Sequence, residues 1–255
     1  MIHKAQGSIL SLEDLEVGYD ETVVLSGVSA EVPRGEITVI LGESGCGKST
    51  LLKNILLLHR PRKGRVMLFG EEIAGMELED FQEVLQRVGV LFQSGGLLRS
   101  LSVYENLSIP LRQHSAIPEA IIRRIVRTRL RMVELKGVED VLPAELSGGM
   151  QKRAGIARAL TTDPELLFFD EPTAGLDPVT ARSLDELILR LNRQLNTTLV
   201  IVSHHMASIR RIADRLIFLA NGAVVFQGSL EEAETSQIPE VRDFFDVEAK
   251  CEDIL

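Results

Sequence analysis

Gly42-Glu43-Ser44-Gly45-Cys46-Gly47-Lys48-Ser49-Thr50 is the stretch from which the rest of this chain can be read. It matches the pattern GxxxxGK(S/T). The apolar run Ile37–Leu41 precedes it and the helix-like run Leu51–Leu58 follows, so strand, loop and helix stand in the order a phosphate-binding loop needs. The glycines let the backbone wrap around a polyphosphate with its N–H groups turned inward, and the helix N-terminus extends that nest of donors. In such a loop Lys48 bridges the β- and γ-phosphates and Ser49 places its hydroxyl on Mg²⁺. The alternative is a glycine-rich strand-to-helix turn with no ligand, which the flanking strand and helix in register disfavour. A nucleoside triphosphate site is therefore expected over Gly42–Thr50.

The composition narrows the surroundings of that site. At 255 residues with 45 % hydrophobic residues, the chain can bury one sizeable α/β core with a small appended subdomain. A formal net charge of −9 argues against nucleic acid as a partner. No apolar stretch approaches the ~20 residues that span a bilayer, and Met1–Ser8 lacks the apolar centre of a signal peptide. There are two cysteines, one of them inside the loop, which argues against a structural disulfide. These features predict a reduced, cytoplasmic protein that relies on another chain for any membrane part.

Strand-like runs alternate with helical ones. Strands are expected at Ile9–Val17, Val23–Val32, Ile37–Leu41, Arg65–Phe69, Val88–Phe92, Leu166–Phe169, Thr198–Val202, Arg215–Leu219 and Ala223–Phe226. Helical periodicity covers Ser49–Leu58, Glu79–Gln86, Pro118–Val133, Gly148–Thr161, Pro178–Leu195 and Ala207–Ala213. The fully apolar strands suit a sheet covered by helices on both faces, and the early alternating ones read as antiparallel and peripheral. Between about Ser94 and Leu146 the strand signal vanishes, which predicts a helical insert. Its most regular helix carries Arg123, Arg124, Arg127, Arg129 and Arg131, read as a solvated face rather than a docking surface.

Two further segments carry chemistry. Leu166-Leu167-Phe168-Phe169-Asp170-Glu171-Pro172 describes a buried strand that delivers Asp170 at its C-terminal end, where α/β sheets bind ligands. Asp170 suits a Mg²⁺ role through water, and Glu171 can orient and polarise an attacking water as general base. In Leu146-Ser147-Gly148-Gly149-Met150-Gln151 a serine and two glycines open a helix. That start offers a hydroxyl, free N–H groups and a positive dipole end to an anion, and Ser147 can be a simple N-cap at the same time.

The sequence LSGG followed by LLFFDEP resembles the ATP-binding-cassette (ABC) ATPases over nearly the whole chain. The resemblance implies a P-loop NTPase (RecA-like) α/β core, residues 1–93 and 157–240, with a peripheral antiparallel β-subdomain. It also implies an inserted helical subdomain, residues 94–156, and a C-terminal tail, residues 241–255. It gives Tyr19 the place of the aromatic stacked on adenine, and Gln93 that of the glutamine linking Mg²⁺ or water to the helical subdomain. Ala174-Gly175-Leu176-Asp177 matches the loop that crosses between subunits, and His204 the switch histidine at the γ-phosphate. The family residue after that histidine is acidic, where this chain has His205. Catalysis is thereby implied for Lys48, Glu171 and His204, with ATP and Mg²⁺ as ligands and Ser49, Gln93 and Asp170 around the metal. Because the helical insert separates the signature from its own loop, two chains would pair head to tail on ATP, Ser147 and Gly149 of one facing the γ-phosphate held by the other.

A narrower likeness lies in Leu91–Leu98, Val103–Leu107, Pro110–Arg112, Met150, Lys152-Arg153-Ala154 and the tail Val241–Phe245. These resemble the ATPases of Mla-type phospholipid transport systems associated with mammalian-cell-entry proteins. Implied partners are an integral membrane permease, a periplasmic mammalian-cell-entry lipid-binding protein and a small regulatory subunit. The implied place is peripheral, on the cytoplasmic face of the inner membrane. Two alternatives stay open: an ABC importer ATPase for a small polar solute, and a non-transport ABC ATPase. The resemblance also places a permease groove at Leu97, Leu98, Leu101 and Val103, against internal packing of the same residues. Cys46, in a nest at a helix start, is either a reactive thiol or an inert buried one.

Overall fold

The computed structural model describes residues 7–19, 22–93, 95–114 and 117–252. Residues 1–6, Ser94 and the tail beyond 252 therefore lie outside the description, along with the expectations placed on them. In chain order the structure runs through β1 (Ser8–Tyr19), β2 (Thr22–Pro33), β3 (Ile37–Gly42), α1 (Lys48–Ile55), β4 (Lys63–Leu68), β5 (Glu71–Glu72) and α2 (Leu78–Gln86). Next come β6 (Val88–Leu91), α3 (Val103–His114), α4 (Glu119–Met132), a 3-10 turn at Pro143–Glu145, α5 (Gly148–Ala159), β7 (Leu166–Asp170) and α6 (Pro178–Leu195). The chain closes through β8 (Thr198–Val202), α7 (Met206–Ile212), β9 (Arg215–Ala220), β10 (Ala223–Ser229), α8 (Leu230–Glu234) and α9 (Pro239–Glu252).

Internal contacts divide the chain into two compact units, residues 1–81 with 200–255, and residues 82–199. In the first unit, β1 pairs antiparallel with β2 and with β4, as the alternating apolar residues predicted. The apolar strand β3 is buried at every position. It pairs parallel with β9, register Leu41 to Phe218, and β9 turns back antiparallel into β10. The N–H of Ser203 donates to Ile40 O at 3.2 Å. Ser203 thus lies at the end of β3 from which the phosphate loop leaves.

The second unit contains the helical segment. Strands β6 and β7 pair parallel, Val88 to Leu166 and Leu91 to Phe169, and β7 is buried throughout. Helices α3, α4 and α5 pack on one another, and α5 also lies on β6. That last approach requires small residues: a Cβ at Gly155 would sit 2.6 Å from Gly95 O and from Leu91 Cδ1. On the α4 face the arginines are mixed. Arg123 lies over the Tyr104 ring at 4.6 Å, Arg127 is 3.7 Å from Glu139, and Arg129 is buried in an ion pair with Asp163. The solvated-face reading therefore fails at Arg129, which the helix period turns inward with Ile122, Val126 and Leu130. Among the described residues no helix is long and apolar enough to cross a membrane.

Candidate functional site

The phosphate loop is a built cradle in the first unit. Gly42 has φ 147°, Gly45 84° and Gly47 103°. A Cβ on Gly42 would collide with Leu219 O and lie 2.8 Å from Cys46 Sγ, so no other residue fits. Gly47 caps α1 in the left-handed conformation and gives no side-chain cap to the first turn, which leaves those N–H groups for an anion. Lys48 is 8 % exposed, and its ammonium donates to Gly42 O and Glu43 O, both at 2.8 Å. The charge is thus anchored at the mouth of its own loop. Ser49 is exposed and Thr50 buried. Cys46 is half-buried with Sγ 3.8 Å from Lys48 Nζ. The Tyr19 hydroxyl pairs with Thr50 Oγ1 at 3.0 Å, and its ring meets His59 edge-on. Tyr19 keeps 39 % of its surface in solvent. His204 follows Ser203 at the end of β8, exposed, its ring 4.3 Å from that of His205. A cavity of about 610 Å³ flanks the loop at Glu43 and Cys46 and runs along Phe218 to α9 at Glu240, Asp243 and Phe244; Lys48 does not line it.

The second unit holds the remaining predicted residues. Asp170 ends β7 and, like Glu171, is at least nine-tenths buried. Glu171 adopts φ 47°, a left-handed backbone that costs a non-glycine residue about 1–3 kcal/mol. Its carbonyl accepts from Ala174 N at 3.2 Å and from Lys152 Nζ at 3.0 Å. The same ammonium reaches Gln93 O at 2.6 Å, while Gln93 itself lies exposed. Burial pushes the Lys152 ammonium below its ordinary pKa, and the charges of Asp170 and Glu171 pull it partly back. Ser147 and Gly148 are exposed and Gly149 half-buried. Ser147 caps α5 by accepting from Met150 N at 3.3 Å. Asp177 caps α6, accepting from Val179 N and Thr180 N at 3.1 and 3.0 Å. Hydrogen bonds from Thr180, ahead of one from Val179, hold its carboxyl below the usual range.

Three residues that the sequence offered only as marks of likeness have structural work that it did not show. Lys152 is one. Arg153 is another: it bolts α5 to Val133 O at 2.9 Å, to Glu134 at 3.0 Å and to Ser183 Oγ at 2.9 Å. Asn106 is fully buried, accepting from Leu98 N at 2.7 Å and donating to the carbonyls of Leu98, Leu101 and Ser102. It knots the segment in which the groove was expected. There Leu98 is 50 % exposed, but Val103 is fully buried and belongs to the packing.

The ABC transporter family pattern matches residues 25–174, more than half of the chain. The chain belongs to the ABC transporter family. As a member of this ATPase family it binds and hydrolyses ATP, and it has the P-loop α/β fold that its sequence implies. It is similar to the "Intermembrane phospholipid transport system ATP-binding protein MlaF" of Haemophilus influenzae, 38 % identical over 90 % of this chain and 87 % of that one. The "Probable ribonucleotide transport ATP-binding protein mkl" of Mycobacterium leprae is 39 % identical over 93 % of this chain and 69 % of its own length. Among solved structures, the dimeric ATP-binding cassette MJ0796 in a post-hydrolysis state with ADP and Pi aligns at TM-score 0.78. It is 30 % identical and covers 87 % of this chain and 98 % of that one.

The ABC ligands fit what is built here. A loop that excludes a Cβ at Gly42, an uncapped helix start and a buried ammonium suit a triphosphate. In the second unit the buried carboxylate of Asp170 at a strand end is a hard oxygen donor of the kind Mg²⁺ takes.

Proposed function

We propose that this chain is the ATP-hydrolysing subunit of a phospholipid transporter between the inner and outer membranes, bound peripherally to the cytoplasmic face of an integral permease. Residues 1–93 and 157–240 act as the nucleotide core, 94–156 as the helical subdomain and 241–255 as the tail. The backbone N–H groups of Gly42–Thr50 with Lys48 hold the phosphates, and Tyr19 supports the adenine. Ser49, Gln93 and Asp170, the last through water, would hold Mg²⁺, which when bound neutralises charge on the phosphates. Glu171 takes the proton of the attacking water, and His204 stabilises charge on the γ-phosphate. Ser147, Gly148 and Gly149 serve the nucleotide of a second copy, so that ATP bridges a homodimer and its hydrolysis removes the bridge.

One observation carries the catalytic part: the buried pair Asp170-Glu171 at the C-terminal end of β7. The cargo rests on the MlaF relative and on the likeness around Leu91–Arg112 and Met150. Two relatives of nearly equal identity carry different transport names, which is understandable because such a subunit never touches the cargo.

The test is to purify the membrane complex through this chain, extract it for lipid and repeat with Glu171→Gln. The expected result is bound phospholipid, a permease and a mammalian-cell-entry protein. The variant should keep ATP and a closed dimer, while turnover falls about 10²–10⁴-fold. Recovery of a solute-binding protein without lipid would turn the assignment to a small-solute importer. Normal turnover in Glu171→Gln would remove the base.

A further inference from the structure

We propose that Lys152 is the positioning residue of the hydrolytic site, a cationic clamp from the signature helix that holds the base-bearing loop and the glutamine loop in one register. The proposal rests on the reading of Glu171 as general base.

Its ground is geometry within the second unit. Strands β6 and β7 are parallel neighbours, so their C-terminal ends open on the same side. Gln93 lies two residues past the end of β6, and Glu171 follows β7 at once. The ammonium of Lys152, 7 % exposed, spans the two turns, 2.6 Å from Gln93 O and 3.0 Å from Glu171 O. Its reach is set by α5 lying hard against β6 and the following loop, where Gly155 leaves no room for a Cβ beside Gly95 O and Leu91.

A lysine buried this deeply gives up hydration of its charge, and its environment must return it in hydrogen bonds. Two of its three donors go to backbone carbonyls rather than to a carboxylate side chain. The bond to the Glu171 carbonyl restrains the backbone that carries the base. The left-handed φ of Glu171 makes that restraint consequential. Such a backbone persists only where its surroundings over-determine it, and here Lys152 Nζ and Ala174 N both hold its carbonyl. Because the clamp starts on the helix that begins at Ser147, any displacement of that helix start pulls on both loops together. The clamp thereby gives the signature segment a route to the base inside one chain.

The experiment compares Lys152→Met, which keeps the length and loses the charge, with Lys152→Arg, in the full chain assembled with its permease. ATP affinity and KM should stay within about twofold, and kcat should fall about 10–100-fold, the scale for residues that orient a catalytic group. Lys152→Arg should restore most of kcat, because a guanidinium can span two carbonyls. In a Glu171→Gln background, Lys152→Met should cost no further turnover, since both changes disable one unit. Unchanged kcat in Lys152→Met would overturn the proposal, as would a loss that multiplies with that of Glu171→Gln. If Lys152→Met does not fold, Lys152→Gln takes its place beside Lys152→Arg: a kcat about 10–100-fold lower in Lys152→Gln than in Lys152→Arg supports the clamp, and equal turnover in both overturns it. Full turnover in Glu171→Gln alone would instead sink the base assignment, so the two failures are told apart.

Discussion

Two glycine-rich helix starts, one in each unit, look alike in sequence and are built differently. At the phosphate loop, α1 begins on Gly47 in a left-handed conformation with no side-chain cap, and Lys48 is buried against carbonyls of its own loop. At the signature segment, α5 begins on Ser147, whose hydroxyl already accepts from Met150 N, with Ser147 and Gly148 open to solvent. The first is a cradle whose helix start has no side-chain cap; the second is a helix start closed by its own serine. Glycine content alone does not distinguish them. The cap does.

The largest expected effect separates the two starts by what a single chain can do. Lys48→Ala should lower kcat/KM of the complex by on the order of 10²–10³-fold and abolish ATP binding by the isolated chain. Ser147→Ala should leave single-chain ATP binding intact, cost about 1 kcal/mol of stability for the lost cap, and fail at dimer closure. Equilibrium binding of a fluorescent nucleotide and gel filtration with ATP read both. Weakened single-chain binding in Ser147→Ala would erase the contrast.

A smaller effect comes from the glycines themselves. Gly42→Ala introduces a Cβ into Leu219 O at φ 147° and should lower the melting temperature along with ATP binding. In Gly148→Ala the new Cβ meets Leu176 Cδ2 at 3.6 Å, ordinary contact. That variant should melt at or slightly above the wild-type temperature, because alanine favours a helix over glycine by roughly 0.5–1 kcal/mol. Its ATPase should fall all the same if this face meets a partner's nucleotide.

The smallest effect is a pH dependence at the other side-chain-capped start, α6. Asp177 has a lowered carboxyl pKa in the folded chain. Its contribution is therefore complete above the unfolded value of about 3.9 and is lost as pH falls through the lower folded value. The stability advantage of wild type over Asp177→Asn should be constant near neutrality and shrink below about pH 4. Thermal melts across that range would show it, and a constant difference would mean that the carboxylate charge does not matter to the cap.

Much of this architecture was legible because its code is local. Thr198–Val202 and Pro178–Leu195 are observed at the bounds expected; the second carries Asp177 as cap and proline at its first position. Helices α3 and α8 were not singled out, although each opens with a reciprocal Ser-x-x-Glu box. Ser102 and Glu105 exchange bonds at 3.2 and 2.7 Å, as do Ser229 and Glu232. Pro110 inside α3 masked a signal that was present.

By itself, then, the sequence determined the loop that takes phosphates, the strand that carries Asp170 and Glu171, and the helix start at Ser147, because each is written in backbone conformations and caps within a few neighbouring residues. Only the tertiary structure decided which side chain of the signature helix would be buried against the turns after β6 and β7. Lys152 is separated by 59 residues from Gln93 and by 19 from Glu171, and nothing in its neighbourhood in sequence marks it off from Arg153 beside it. The difference arises from the close approach of α5 to β6, which turns Lys152 inward to two carbonyls and leaves Arg153 to the surrounding helices. A hydrogen bond over such a span is set by packing, and packing has no short-range code.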